Sequence, residues 1–174
     1  MFLFYGGVED ELSITCYTDA SFETDQDDTR SQTCYVFVMN GGAVDWKSAK
    51  QSTTAMSSTE AEYIAASEAA MEAVWIRKFI SGLGVVPSNK RPMDMYCDNS
   101  GAIIIANEPG VQKGAKHFRW KFHYLREVIK IVEIILFKVH IDNNLAYPFT
   151  KPMSCTKHVE HGRNIGLRPA SSFM

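Results

Sequence analysis

The stretch from Ser57 to Gly84 constrains the fold more than any other part of this chain. Ser57-Ser58-Thr59-Glu60 has the capping-box pattern, and Gly82 and Gly84 supply a stop, so the spacing predicts one long helix between them. At 100° per residue, Glu62, Ala65, Ala66, Ala69, Ala73, Ile76, Ile80 and Leu83 fall on a single stripe. Four alanines in that stripe let the helix lie close against a sheet. A second apolar edge, Ile64, Met71 and Trp75, requires that other parts of the chain cover the helix as well. Glu62 sits near the middle of the sheet-facing stripe, whereas Glu60 points almost the opposite way.

Strands flank this helix on both sides. Leu12 to Thr18 alternates Leu12, Ile14 and Cys16 against Ser13, Thr15 and Tyr17, and runs directly into Asp19. An acidic loop follows from Glu23 to Arg30. Tyr35 to Met39 and Ala43 to Lys47 form an antiparallel pair around Asn40-Gly41-Gly42, where glycine accepts positive φ. After the helix, Met93 to Cys97 is a strand ending at Asp98, and Ser100 to Asn107 is a short helix stopped by Pro109-Gly110. A basic segment, Lys113 to Lys121, leads into a helix through about Ile129, and Ile131 to His140 is the last strand. The class is α/β in one domain. Beyond Asp142 the tail, with Pro148, Pro152 and a polar end through Met174, gives no definite pattern and is open to partial disorder.

Composition limits the function. Hydrophobic residues make up 45% of the 174 and charged ones 22%, a globular balance. The net charge is −2, so any grip on phosphates must come from a local basic patch or from bound cations. The four cysteines, Cys16, Cys34, Cys97 and Cys155, lack zinc-site spacing and read as free thiols of a reducing compartment. Met1-Phe2-Leu3-Phe4-Tyr5 is too short for a signal peptide, and the apolar run from Ile129 to Ile141 is too short and too charged for a membrane span.

Three acids stand out by position. Asp19 and Asp98 each end an apolar strand, and Glu62 lies on the sheet-facing stripe of the helix between them. If the two strands are parallel neighbours, three carboxylates converge at one sheet edge. Clustered like charges call for a neutralising cation, and oxygen ligands suit Mg²⁺ or Mn²⁺. Such ions support phosphodiester displacement. Each acid alone has a plainer account: either aspartate as a turn former, Glu62 as a first-turn acid favoured by the helix dipole.

An ordered set of short stretches carries a resemblance. They are Tyr17-Thr18-Asp19-Ala20, Tyr35-Val36-Phe37, Gly42 to Ser48, Lys50-Gln51-Ser52 and, most specific, Ser57-Ser58-Thr59-Glu60-Ala61-Glu62-Tyr63. Trp75-Ile76-Arg77, Tyr96-Cys97-Asp98-Asn99, Lys116-His117, His123 to Glu127 and Phe149-Thr150-Lys151-Pro152 follow in order. From about Ile14 to Pro152 the chain resembles the ribonuclease H domain of copia-type LTR retrotransposon Pol polyproteins, in the style of plant elements. The resemblance implies a ribonuclease H-like fold, a five-stranded mixed sheet with flanking helices. It also implies two-Mg²⁺ cleavage of the RNA strand of an RNA/DNA hybrid, Mn²⁺ being able to substitute, with Asp19, Glu62 and Asp98 as catalytic metal ligands.

The fourth carboxylate of that site does not match. Relatives read Asn-Leu-Ala-Asp, whereas this chain has Asn144-Leu145-Ala146-Tyr147, and a neutral phenol cannot replace the charge. Asp142 lies too far along the chain to stand in. Val132 and Cys34 take places where relatives tend to have glycine, and Arg119 and Ile141 are also unusual. The expectation is therefore impaired hydrolysis, or a folded relic that cleaves nothing and at most binds nucleic acid.

The basic run Lys113, Lys116, His117, Arg119 and Lys121 is a candidate nucleic-acid contact, with a solvated helix face as the equal alternative. His117 could assist proton transfer or product release, though a structural role is the plainer one. Trp46 and Trp75 read as core residues. The resemblance further implies an upstream reverse transcriptase as partner and residence in a cytoplasmic virus-like particle, with no membrane. It divides the chain into a remnant connection at 1–10, the domain at 11–152 and a tail at 153–174. An integrase or transposase is disfavoured because its glutamate would come last. Polymerase activity is disfavoured because Asp27-Asp28 lies in the acidic loop, without the preceding aromatic.

Overall fold

The computed structural model describes residues 1–6, 13–23, 29–84, 91–108 and 119–173. Its main sheet has five strands in the order β4-β3-β2-β5-β6, formed by β2 (Ile14–Ser21), β3 (Gln32–Met39), β4 (Gly42–Lys50), β5 (Met93–Cys97) and β6 (Ile134–Lys138). β2, β3 and β4 pair antiparallel, while β2, β5 and β6 run parallel, which makes the sheet mixed. The helices are α1 (Ser58–Leu83), α2 (Ser100–Asn107), α3 (Arg119–Lys130) and α4 (Cys155–Asn164). Two-residue strands β1 (Phe2–Leu3) and β7 (Leu167–Arg168) pair with each other outside the main sheet.

Local chemistry accounts for the boundaries of α1. The Ser57 hydroxyl accepts from Glu60 N–H at 3.2 Å, and the Glu60 carboxylate accepts from Met56 N–H at 2.8 Å, one residue short of a strict capping box. Gly84 closes the helix at φ +67°, where a side chain would be strained. Ala61, Ala65, Ala66, Ala69, Ala70 and Ala73 are all fully buried, so the helix backbone seats directly on β2 and β3. α3 packs on a further face of α1, with the Tyr63 hydroxyl donating to Phe122 O at 2.8 Å and Ser67 to Lys121 O at 2.9 Å. The stripe runs off the sheet at its end, leaving Leu83 exposed. Trp46 and Trp75 likewise stand 54% and 58% exposed instead of entering the core, Trp75 stacking on Phe79.

Several elements differ from the sequence expectation. β2 continues through Asp19 to Ser21, because the antiparallel ladder to β3 extends that far (Ser21↔Gln32). Residues 7–12 lie outside the described residues, and with them the expected start at Leu12. β6 is shorter than Ile131 to His140, since Ile131-Val132-Glu133 forms the turn out of α3. The end of the chain is built rather than irregular. Ala43 N–H donates to Ile165 O at 2.9 Å and Phe4 N–H to Gly166 O at 2.8 Å, tying the terminal elements to β4. Gly166 (φ +91°) makes that junction, and a Cβ there would meet Phe4 O at 2.7 Å.

Val132 has φ +59° in an exposed turn, the left-handed region that β-branched residues avoid. Glycine removes that strain but adds unfolded-chain entropy, so Val132→Gly should stabilise the protein by about 1 kcal/mol. Urea unfolding measures it, and an unchanged or lower midpoint would refute the strain.

Candidate active site

The parallel pairing of β2 with β5 places Thr18 opposite Cys97, so the next step along both strands sets Asp19 beside Asp98. α1 lays its first two turns across the same edge. Glu62, one turn in, is 6% exposed, and its carboxylate approaches both Cys97 Sγ and Asp98, with ligand atoms of the three within 4.8 Å of one another. Asp19 lies close enough for its charge to act on Glu62 and for Asp98 to act on it, so the three carboxylates converge as their placement in the sequence suggested.

Their electrostatics are those of a site wanting positive charge. Burial pushes Glu62 well above the ordinary carboxyl range, and the charges of Asp19 and Asp98 push the same way. Burial also raises Asp19, opposed by the Thr150 hydroxyl, the Lys151 ammonium and a hydrogen bond donated by Glu62, while the charge of Asp98 raises it further. Asp19 is 0% exposed, and its Oδ1 accepts no hydrogen bond. An orphaned, buried carboxylate oxygen beside two further carboxylates is a donor set that fits a hard divalent cation. The Cys97 thiol is held protonated by burial and does not extend that set.

The sign for stability follows from those shifts. Carboxyls raised in the folded state add stability below their unfolded pKa values, and lose it as pH rises through the folded ones. The metal-free protein should therefore melt higher near pH 5.5 than near pH 8, and Glu62→Gln should flatten that slope. His161, lowered by burial, works in the opposite direction, so the wild-type minus Glu62→Gln difference is the quantity to measure. A difference that does not vary with pH would exclude the raised pair.

The fourth position is brought to the same place. Asn144 Nδ2 donates to Thr18 O at 2.9 Å, and Phe149 O lies 3.1 Å from both the Cys34 thiol and the Ser48 hydroxyl. Cys34, which the sequence marks as an intruder, thus helps to clamp this segment onto β3 and β4. Thr150 donates a hydrogen bond to Asp19 Oδ2. Tyr147 stands in a 3-10 turn, Tyr147–Phe149, packed on β2 and β3. Asp142 is turned outward and paired with Lys157 at 2.5 Å, so it lends nothing to the cluster. The roles of Thr150 and Cys34 were missed in the sequence because neither belongs to a motif with chemistry of its own.

The basic run fares differently. Lys113, Lys116 and His117 lie outside the described residues, and Arg119 is placed only as the first residue of α3. Lys121 is corrected from a surface contact to an interior cation: it is 3% exposed, with Nζ 2.7 Å from Glu68 Oε1. Its charge is spent inside the protein. No helix of the described residues is long and apolar enough to cross a membrane.

No family model matches the chain. A retrovirus-related Pol polyprotein from transposon TNT 1-94 of Nicotiana tabacum is 35% identical over 135 residues, 78% of this chain and 10% of that protein. The Pol polyprotein from transposon RE2 of Arabidopsis thaliana is 31% identical over 156 residues, 90% of this chain and 11% of that protein. The chain thus spans about a tenth of the length of these relatives. Among solved structures, LC11-RNase H1 isolated from compost superposes with a TM-score of 0.54 at 16% identity, over 79% of this chain and 91% of that one. The same enzyme in complex with an RNA/DNA hybrid gives 0.51 at 17%, over 76% and 88%. The protease-reverse transcriptase of prototype foamy virus gives 0.52 at 14%, over 86% of this chain and 22% of that chain. At such identities these structures speak for the fold alone.

Proposed function

Because this chain belongs, as a homologue of one segment, with the retrovirus-related Pol polyproteins of plant transposons and has a ribonuclease H-like fold, we propose that it is a metal-dependent ribonuclease H acting on the RNA strand of RNA/DNA hybrids, weakened at its fourth carboxylate position. The observation that carries this reading is that Glu62 and Asp98 meet at one sheet edge, with Asp19 close enough to act on both and its buried Oδ1 accepting no hydrogen bond. Those three residues would hold Mg²⁺ or Mn²⁺. Such ions, when bound, activate a water and neutralise the leaving oxygen of a phosphodiester. The chain supplies the rest. α1 and the two parallel strands fix the carboxylates on regular elements, the Thr150 hydroxyl orients Asp19, and Tyr147 withholds a fourth ligand.

The wider reading follows the polyprotein relatives. Residues 11–152 carry the catalytic elements, 1–10 are the remnant of a connection from an upstream reverse transcriptase and 153–174 a C-terminal tail, with Tyr5 and Ile165 both bonded to β4 at Ala43. Lys113, Lys116, His117 and Arg119 contact the hybrid backbone, and a complete element would work inside a cytoplasmic virus-like particle. A second reading is favoured by Tyr147 itself: a relic that folds and cleaves nothing.

Cleavage of a hybrid with a labelled RNA strand, in Mg²⁺ or Mn²⁺, tests the proposal. Asp98→Asn should fall at least about a hundredfold below the native chain, the size expected when a metal-holding carboxylate is lost. Native cleavage as fast as that of intact four-carboxylate enzymes would contradict the weakening. An inactive native chain whose melting temperature ignores Mn²⁺ would favour the relic.

A further inference from the structure

The segment after the missing carboxylate carries a cation of its own. Lys151 Nζ lies 4.0 Å from Asp19 Oδ1, the buried oxygen that accepts no hydrogen bond. Among the described residues, Lys151 is the one cation within ion-pair range of the three carboxylates. The same ammonium sits 4.9 Å from the centroid of the Tyr147 ring, in cation–π range. The backbone beneath it is pinned, with Lys151 N–H donating to Tyr147 O at 3.3 Å and Phe149 O held by Cys34 and Ser48. Lys151 is 36% exposed at its side chain, so it reaches in from the rim rather than filling the core.

We propose that Lys151 is an internal counter-cation: steered by the Tyr147 ring, its ammonium takes the positive place beside Asp19 that a second divalent ion would need, so this chain holds one divalent cation. The inference deepens the ribonuclease H reading and rests on it. A carboxylate buried without positive charge nearby is costly, and here a phenol has replaced one of the acids that would attract a second ion. A tethered single charge matches the reduced negative charge of the site better than a free double charge does. Tyr147 then has a part of its own, since its ring face favours the ammonium where an aspartate would have favoured a metal. Lys151 acts through Asp19 and is a positioning residue.

Two measurements on the full chain test this. The first is a metal-free double-mutant cycle between Asp19→Asn and Lys151→Met, read by urea unfolding. Lys151→Met should destabilise the native background and leave the Asp19→Asn background unchanged. The second counts bound Mn²⁺ by electron paramagnetic resonance. The native chain and Lys151→Arg should bind a single ion. Lys151→Met should bind a second ion or hold the first about tenfold more tightly, because a competing charge is gone. Lys151→Gln replaces the methionine variant should that one fail to fold. An additive cycle overturns the counter-cation, and so does unchanged Mn²⁺ binding in a folded Lys151→Met protein. Absence of Mn²⁺ binding in every variant, Tyr147→Asp included, would instead sink the ribonuclease H reading and the counter-cation with it. Normal single-ion binding with an additive cycle would sink the counter-cation alone.

Discussion

Tyr147→Asp should raise the rate of hybrid cleavage about a hundredfold or more above the native chain, equivalent to ~2.7 kcal/mol of transition-state stabilisation. The substitution asks little of the fold. Tyr147 sits in a 3-10 turn whose two ends are already anchored, by Asn144 Nδ2 on Thr18 O and by Thr150 on Asp19. A carboxylate there sits on the segment that Thr150 already ties to Asp19. It also removes the ring beside Lys151 and offers that ammonium another partner, which frees Asp19 for a metal. The check is a rate comparison of native, Tyr147→Asp and the double variant Tyr147→Asp/Asp98→Asn. Rescue that survives in the double variant would show a different centre at work. No rescue, in a protein that melts normally and binds Mn²⁺, would mean that the loss of activity has another seat than residue 147.

What could be read in the sequence, and what could not, divides along physical lines. α1 was legible end to end because its signals are local: a serine cap, a closing glycine and a long alanine face. Glu62 was separable from Glu60 by angle alone, and the structure buries the first and leaves the second at the cap. The convergence of Asp19 with Asp98 needed one non-local fact, that β2 and β5 are parallel neighbours, and no residue pattern states that directly. The closure of β1 on β7 could not be seen, since two-residue strands have no periodicity and their stability comes from Gly166 and the carbonyls around it. The exposure of Trp46 and Trp75 is illegible in the sequence for a related reason. Their size argues for burial, but β4 is an edge strand, and at Trp75 the second edge of α1 is left exposed.

Lys121 shows the same limit at a single residue, and it carries the second large effect. In a run of basic residues its charge suggests phosphate binding, yet the structure sets its ammonium 2.7 Å from Glu68 Oε1 between α3 and α1, with the two side chains 3% and 12% exposed. Removing one member of a buried pair leaves the other as an uncompensated charge, a loss of about 3–5 kcal/mol. Glu68 retains Lys47 at 3.5 Å, a half-exposed partner, which places Lys121→Met toward the lower end, about 3 kcal/mol. For a chain of this length that is a fall of roughly 6–12 °C in melting temperature. The double variant Lys121→Met/Glu68→Leu should recover most of the loss, because an apolar pair of similar volume needs no desolvated charge. A residue that met the hybrid backbone would behave in the opposite manner. Its loss would spare the melting temperature and reduce the salt dependence of hybrid binding by about one unit of slope. Thermal melting of the two variants beside a salt titration of hybrid binding separates these accounts, and a stable Lys121→Met protein with a shallower salt slope would return Lys121 to the nucleic-acid face.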